Sequence, residues 1–246
     1  MPARRTVPPA RRQCRMDAMK DEMPAMDWSG VCAMVFDMDG TLLNTEQVIV
    51  QAASDTLVHL GHAPLPAGYH MPNMFGTAAD LIADVLHERG HPMPAQGRAQ
   101  TGLLFERFYA AHPAGCAPLY DGVVDWLQAA HAQGIALGVC TNKQYALAMQ
   151  GLEAAGILHL FSAVTGRDTC GVAKPAPEPL FHTLSQLHVH AQDALFFGDT
   201  HADAACAQAA GVRFAWFTSG FGTARVREYD RVLAFADYRS LSLAMA

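Results

Sequence analysis

Short apolar runs alternate with longer segments of helical periodicity through most of the chain, and that alternation sets the fold. Residues 32–37 form an uninterrupted apolar run ending in Asp37, of the kind buried on both faces of a parallel sheet. Comparable runs recur at 135–140, 162–165, 194–198 and 212–217. Between them, 122–133, 144–155, 177–188 and 202–210 carry apolar residues at helical spacing. Strand and helix in strict alternation predict an α/β fold, a Rossmann-like parallel sheet with helices on both faces.

One interval breaks the rhythm. About seventy residues, from Thr45 to roughly Leu119, separate the first strand from the helix that precedes the second, far more than a crossover needs. Within it, 47–60, 78–89 and 96–111 have helical periodicity, separated by breaker clusters such as Gly61-His62-Ala63-Pro64. The interval predicts an inserted α-helical cap domain over 45–119, with the core split into 30–44 and 120–246. Phe105, Phe108 and Tyr109 are expected to pack the core of that insertion.

The chemistry-bearing residues cluster where predicted strands end. Asp37 and Asp39 follow the first strand and precede Gly40-Thr41, so two carboxylates point the same way beside a glycine turn. A carboxylate can attack phosphorus while a second protonates the leaving oxygen, although Asp and Gly also populate ordinary turns. Thr141-Asn142-Lys143 follows the second strand and offers hydroxyl, amide and backbone N–H donors to a phosphoryl group. Lys174, one of only three lysines, sits in the proline-stiffened run Lys174-Pro175-Ala176-Pro177, where it can offset charge on a nucleophile and a phosphate. Gly198-Asp199 ends a later strand, which suits Asp199 as an oxygen ligand for Mg²⁺. Asp203, four residues on, is also well placed as an acid favoured at a helix N-terminus.

Asp37-x-Asp39-Gly-Thr, Thr141, Lys174 and Gly198-Asp199-x-x-x-Asp203, taken in order, resemble the four motifs of the haloacid dehalogenase (HAD) superfamily of phosphotransferases. The resemblance implies a Rossmann-like core, a Mg²⁺ cofactor and an aspartyl-phosphate formed on Asp37. By position it makes Asp37 nucleophile and metal ligand, Asp39 general acid and then base with its backbone carbonyl on the metal, and Asp199 a further ligand. Thr141, Asn142 and Lys174 would bind the phosphoryl oxygens, and Asp203 would support the metal site or the lysine. Asp39 argues against dehalogenases and phosphonate hydrolases, which do without an acid there, and Ile49 stands where β-phosphoglucomutases carry a histidine. Lys174-Pro175-x-Pro177-x-Pro179 with Thr141-Asn142-Lys143 and Thr218-Ser219-Gly220-Phe221-Gly222 looks most like the phosphoglycolate phosphatase group. Asn44-Thr45-Glu46 departs from that group, which leaves sugar phosphates, nucleotides or pyrophosphate open as substrates. A phosphate-binding module without turnover is disfavoured by the presence of all four motif acids and Lys174.

Composition adds limits. A net charge of −6 argues against a nucleic-acid partner, so the expected partner is a small phosphoester, with the protein a monomer or homodimer. Cysteines without paired spacing suggest reduced thiols and a cytoplasmic location, with Cys32 and Cys140 inside buried strands. His188 and His190 lack companion ligands and read as a solvated pair. Residues 1–29, arginine- and proline-rich without a long apolar run, are expected to be a disordered extension rather than a secretory signal, and no stretch is long enough to cross a membrane. Arg89, Arg98, Arg107 and Arg167 are candidates for a substrate carboxylate, although arginine is mostly a surface residue.

Overall fold

The first strand, β1 (Ala33–Phe36), is buried at every position and divides its side chains between two helix layers. Ala33 and Val35 face one layer, Met34 and Phe36 the other. The structure, a computed structural model, describes residues 28–74, 76–112, 117–222 and 224–242. The expected N-terminal extension therefore lies outside the described residues except for its last two. Of these, Trp28 is a core residue, 4% exposed and packed on Trp126 at 5.2 Å between ring centroids.

Five further strands complete the sheet: β2 (Ala136–Cys140), β3 (Ala163–Thr165), β4 (Ala194–Gly198), β5 (Arg213–Phe217) and β6 (Leu233–Phe235). Their order is β3-β2-β1-β4-β5-β6 and every pairing is parallel. Phe36 is in register with Val139 on one side and Phe197 on the other, so the residues after β1, β2 and β4 emerge together at one edge. The strand order reverses beside β1, and the crevice at such a switch point is where open α/β sheets bind ligands.

Helices α4 (Val123–Ala132) and α5 (Tyr145–Ala154) cover the Met34 and Phe36 face through Val123, Trp126, Leu127, Ala148 and Leu152. Phe36 stacks on Phe197 there at 4.6 Å, and burying each such ring contributes about 1.5–3 kcal/mol. Helices α6 (Glu178–Leu187) and α7 (His201–Ala210) cover the other face through Leu180, Leu184, Ala204 and Ala207. Thr200 and Asp203 form a capping box at the start of α7, and Gly211 ends it in the left-handed conformation at φ 68°.

The long interval holds α1 (Glu46–His59), α2 (Ala78–Glu88) and α3 (Arg98–Ala111), packed on one another around Ile49, Leu57, Ile82, Val85 and Phe105. The chain leaves and re-enters the sheet layer at a single point. Leu43 bridges Leu119, Asn44 N–H donates to the Pro118 carbonyl (2.9 Å) and Tyr120 N–H donates to the Leu42 carbonyl (3.0 Å).

Two details depart from the sequence reading, and one adds to it. β6 was not expected, although 232–236 is an apolar run; it follows β5 without an intervening α-helix, and its parallel pairing with β5 defines it. Cys32 lies just before β1 and is exposed, because the buried run starts one residue later, whereas Cys140 is buried as expected. His188, exposed and closing α6 at φ 56°, serves as a helix cap. No helix among the described residues is long and apolar enough to cross a membrane.

Candidate active site

Three acids meet at the carboxyl edge of the sheet. Asp37 follows β1, Asp199 follows β4, and Asp203 lies in the first turn of α7; ligand oxygens of the three lie within 4.8 Å of one another. All are buried, with exposures of 7%, 0% and 1%. Unrelieved, such a cluster would be costly, and Lys174 sits inside it. Its Nζ donates to Asp37 Oδ1 (2.7 Å), Asp203 Oδ1 (2.6 Å) and the Cys140 carbonyl (2.8 Å), which uses all three ammonium protons.

The electrostatics follow from burial and spacing. Burial pushes the Asp37 carboxyl up to about 6, and the neighbouring Lys174 only partly restrains it while Asp203 and Asp39 push further. Asp199 is raised well above the carboxylate range by burial, then by Asp203 and Asp37, against the hydrogen bonds from Thr41 and Phe221. Lys174 stays charged: burial works against its ammonium, but Asp203 and Asp37 outweigh that and hold it well above the usual lysine value.

Not all of these oxygens are equally free. Asp203 gives Oδ1 to Lys174 and Oδ2 to the Thr200 N–H (2.9 Å) and hydroxyl (2.7 Å), so it is spent on the lysine and the helix cap. Asp199 accepts from Thr41 Oγ1 (2.8 Å) at Oδ1 and from Phe221 N–H (2.6 Å) at Oδ2, which fixes its orientation. Buried carboxylates whose ionisation is opposed, all oxygen donors, fit a hard divalent cation. The turn after Asp37 passes close against Asp199 and requires glycine. Gly40 has φ 85°, and a Cβ there would run into Asp199 Oδ2 and the Phe221 ring.

The remaining motif residues line a cavity of about 90 Å³ between the sheet edge and the inserted helices, which contribute Ile49, Leu81, Phe105, Glu106 and Tyr109. Thr141, 2% exposed, lies on its floor with Asp37, Asp39, Lys174 and Asp203. Asn142 also lines the cavity, but its amide pairs with the backbone of Lys174, donating to the carbonyl (3.0 Å) and accepting from the N–H (2.8 Å). It thereby anchors the loop that carries the lysine.

Four cavity residues carry contacts that sequence reasoning did not assign. Lys143 Nζ lies 2.5 and 2.6 Å from the two Asp39 oxygens, 3.0 Å from Tyr109 Oη and 4.2 Å from the centre of the Tyr109 ring. Burial opposes its charge, yet Asp39 and then Tyr109 raise it above the usual lysine value. Arg167, from the loop after β3, pairs with Glu106 of α3. The scarcity of lysine was a usable signal for Lys143; nothing in sequence spacing links it to Asp39 across 104 residues. Phe105 is in the core as expected, while Tyr109 turns its hydroxyl to the cavity. Of the other arginine candidates, Arg89 donates to the Ala63 and Pro64 carbonyls and Arg98 pairs with Asp80.

A switch-point crevice lined by paired aspartates, a threonine and a buried lysine is the architecture of one hydrolase family. Residues 34–217 match the family model described as haloacid dehalogenase-like hydrolase, and the chain belongs to that family. Among curated proteins it is similar to phosphoglycolate phosphatases of Cereibacter sphaeroides, 36% identical over 209 residues that cover 85% of this chain and 94% of the relative. The phosphoglycolate phosphatase of Rhodospirillum rubrum is 35% identical over 214 residues, covering 85% and 88%. Among solved structures, a predicted phosphoglycolate phosphatase from Haemophilus somnus superposes with a TM-score of 0.76 at 24% identity, covering 85% of this chain and 96% of that one. The β-phosphoglucomutase of Clostridium difficile shares the fold at a TM-score of 0.70 and 15% identity, covering 87% and 94%.

Proposed function

We propose that this protein is a Mg²⁺-dependent phosphatase that hydrolyses a small phosphate monoester through an aspartyl-phosphate, with phosphoglycolate the favoured substrate. The observation that carries the reading is the convergence of Asp37, Asp199 and Lys174 on one buried point with Asp39 beside them at the cavity floor. Similarity to the phosphoglycolate phosphatases supports the substrate. Size is compatible with a small ester: the whole cavity is about 90 Å³, where drug-sized ligands fill roughly 300–1,000 Å³.

Asp37 and Asp199, with the Asp39 backbone carbonyl, would hold Mg²⁺, whose charge permits both buried acids to ionise and offsets charge on the phosphate. An Asp37 oxygen attacks phosphorus in line, the bond to the ester oxygen breaks, and Asp39, having first taken up a proton against its pairing with Lys143, gives that oxygen the proton. Asp39 then takes a proton from water, which attacks the aspartyl-phosphate and releases phosphate and free Asp37. Lys174 keeps Asp37 oriented and near the transferring oxygens, Thr141 donates to the phosphoryl group, and Asp203 holds Lys174. Residues 45–119 act as a cap that excludes water from the cavity.

The test is phosphate release with Mg²⁺ or chelator across phosphoglycolate, sugar phosphates, nucleotides, pyrophosphate and a chromogenic ester. Mg²⁺-dependent release that prefers phosphoglycolate and disappears in Asp37→Asn is expected. Release from other esters alone would discard the substrate, and no release from any would discard the enzyme.

A further inference from the structure

We infer that Lys143 is the residue that selects the leaving group, its ammonium taking a carboxylate attached one carbon from the ester oxygen. This rests on the phosphatase reading above and adds the feature of the substrate that is recognised. An ester oxygen that takes its proton from Asp39 lies within hydrogen-bond distance of that carboxyl, about 2.7 Å. Lys143 Nζ is 2.5 and 2.6 Å from the same carboxyl. By ordinary bond lengths a carboxylate on the next carbon has its oxygens roughly 3 Å from the ester oxygen, on the same side of Asp39 as Nζ, where it would replace one of the two Asp39 contacts of the ammonium.

The ammonium is held for this task. Its side chain is 7% exposed, lies over the Tyr109 ring and bonds the Tyr109 hydroxyl, so little rotamer entropy remains to be lost on binding. Lys143 Nζ has three acceptors, but two are the oxygens of the one Asp39 carboxyl, and an Asp39 that carries the proton for transfer gives up one of them, which leaves an ammonium proton for the substrate. The other cations of the cavity have no acceptor that the reaction releases. Lys174 has three acceptors, and Arg167 pairs with Glu106. Glu106 is also the source of the competing expectation: its Oε2 is buried without a hydrogen-bond partner, and a leaving-group hydroxyl would satisfy it.

The experiment compares kcat/KM for phosphoglycolate, ethyl phosphate and glycerol phosphate in the wild type, Lys143→Met, Lys143→Arg and Glu106→Gln. Loss of one charge-assisted hydrogen bond should lower the phosphoglycolate to ethyl phosphate ratio about tenfold to a hundredfold in Lys143→Met, with part of it regained in Lys143→Arg. An equal fall on both esters would mean that Lys143 acts only through Asp39, and would overturn the inference. So would a wild type that handles ethyl phosphate as well as phosphoglycolate, or one that prefers glycerol phosphate through Glu106; either leaves the phosphatase standing. If no ester is turned over, the phosphatase reading fails, and calorimetric binding to Asp37→Asn with and without Lys143→Met decides the point. Weaker binding of phosphoglycolate but not ethyl phosphate upholds Lys143, and equal binding overturns it.

Discussion

Replacing Asp203 should be far more damaging than its position four residues beyond the metal-ligand candidate suggests, because two separate supports meet on its carboxylate. Oδ1 is a counter-charge for buried Lys174 and Oδ2 closes the capping box of α7. Breaking a buried pair from one side costs about 3–5 kcal/mol, and Lys174 keeps Asp37, so Asp203→Asn should fall at the low end, near 3 kcal/mol. Asparagine retains an acceptor for the cap. Asp203→Ala removes that too and should cost about 1 kcal/mol more. With a urea slope of about 2 kcal/mol/M the midpoint should drop by about 1.5 M for Asn and 2 M for Ala, read by circular dichroism with chelator present. Thr200→Ala should lose only the hydroxyl part of the cap, about 1 kcal/mol. Were Asp203→Asn to unfold within about 0.5 M of the wild type, the charge coupling of Lys174 to Asp203 would be refuted. A drop for Asn equal to that of Ala would instead refute the independence of the two supports.

Two further outcomes test the metal site. Asp37 is raised from 3.8 to about 6, so its contribution to stability is present below the lower value and lost as pH rises through the upper one. Without metal this amounts to about 3 kcal/mol between pH 4 and 6, with Asp199 acting in the same direction. Mg²⁺ should restore it, so the Tm difference between Mg²⁺ and chelator should grow from pH 4.5 to pH 7 in scanning calorimetry; an unchanged difference would contradict the site. Gly40→Ala places a Cβ against Asp199 and Phe221 at φ 85°. It should lower stability by more than 1 kcal/mol and weaken Mg²⁺ binding at least tenfold by titration calorimetry, and near-native affinity would show that the turn does not set the site.

What the sequence made legible was whatever is written in local pattern. The five expected apolar runs became strands, and the helices between them fall within a residue or so of the expected bounds, as for α6 at Glu178–Leu187 against 177–188. Asp37, Thr141 and Asp199 were placed at strand ends by chain order alone, since parallel strands put all their carboxyl ends on one edge. Contacts between distant segments were not legible. The grip of Lys143 on Asp39, the pairing of Arg167 with Glu106 and the use of the Asn142 amide on the Lys174 backbone depend on how loops meet across the cavity, which no spacing encodes. Asp203 was legible from local pattern only as a helix-start acid, and its support of Lys174 came from the family resemblance, because a capping box and a buried ion pair use the same residue.

The place where the chain leaves the sheet layer at Leu42–Asn44 and returns at Pro118–Tyr120 has an evolutionary consequence. The two crossings lie side by side, tied by hydrogen bonds between Asn44 and Pro118 and between Tyr120 and Leu42. Everything between them hangs from one seam. Insertions, deletions or wholesale exchange within 45–117 leave the seam and the register of β1 untouched, so the helices that roof the cavity can diverge while the sheet-edge residues of its floor, Lys143 among them, stay fixed. The roof of the cavity in such a chain is inherited separately from its floor, as a cartridge is from the instrument that reads it.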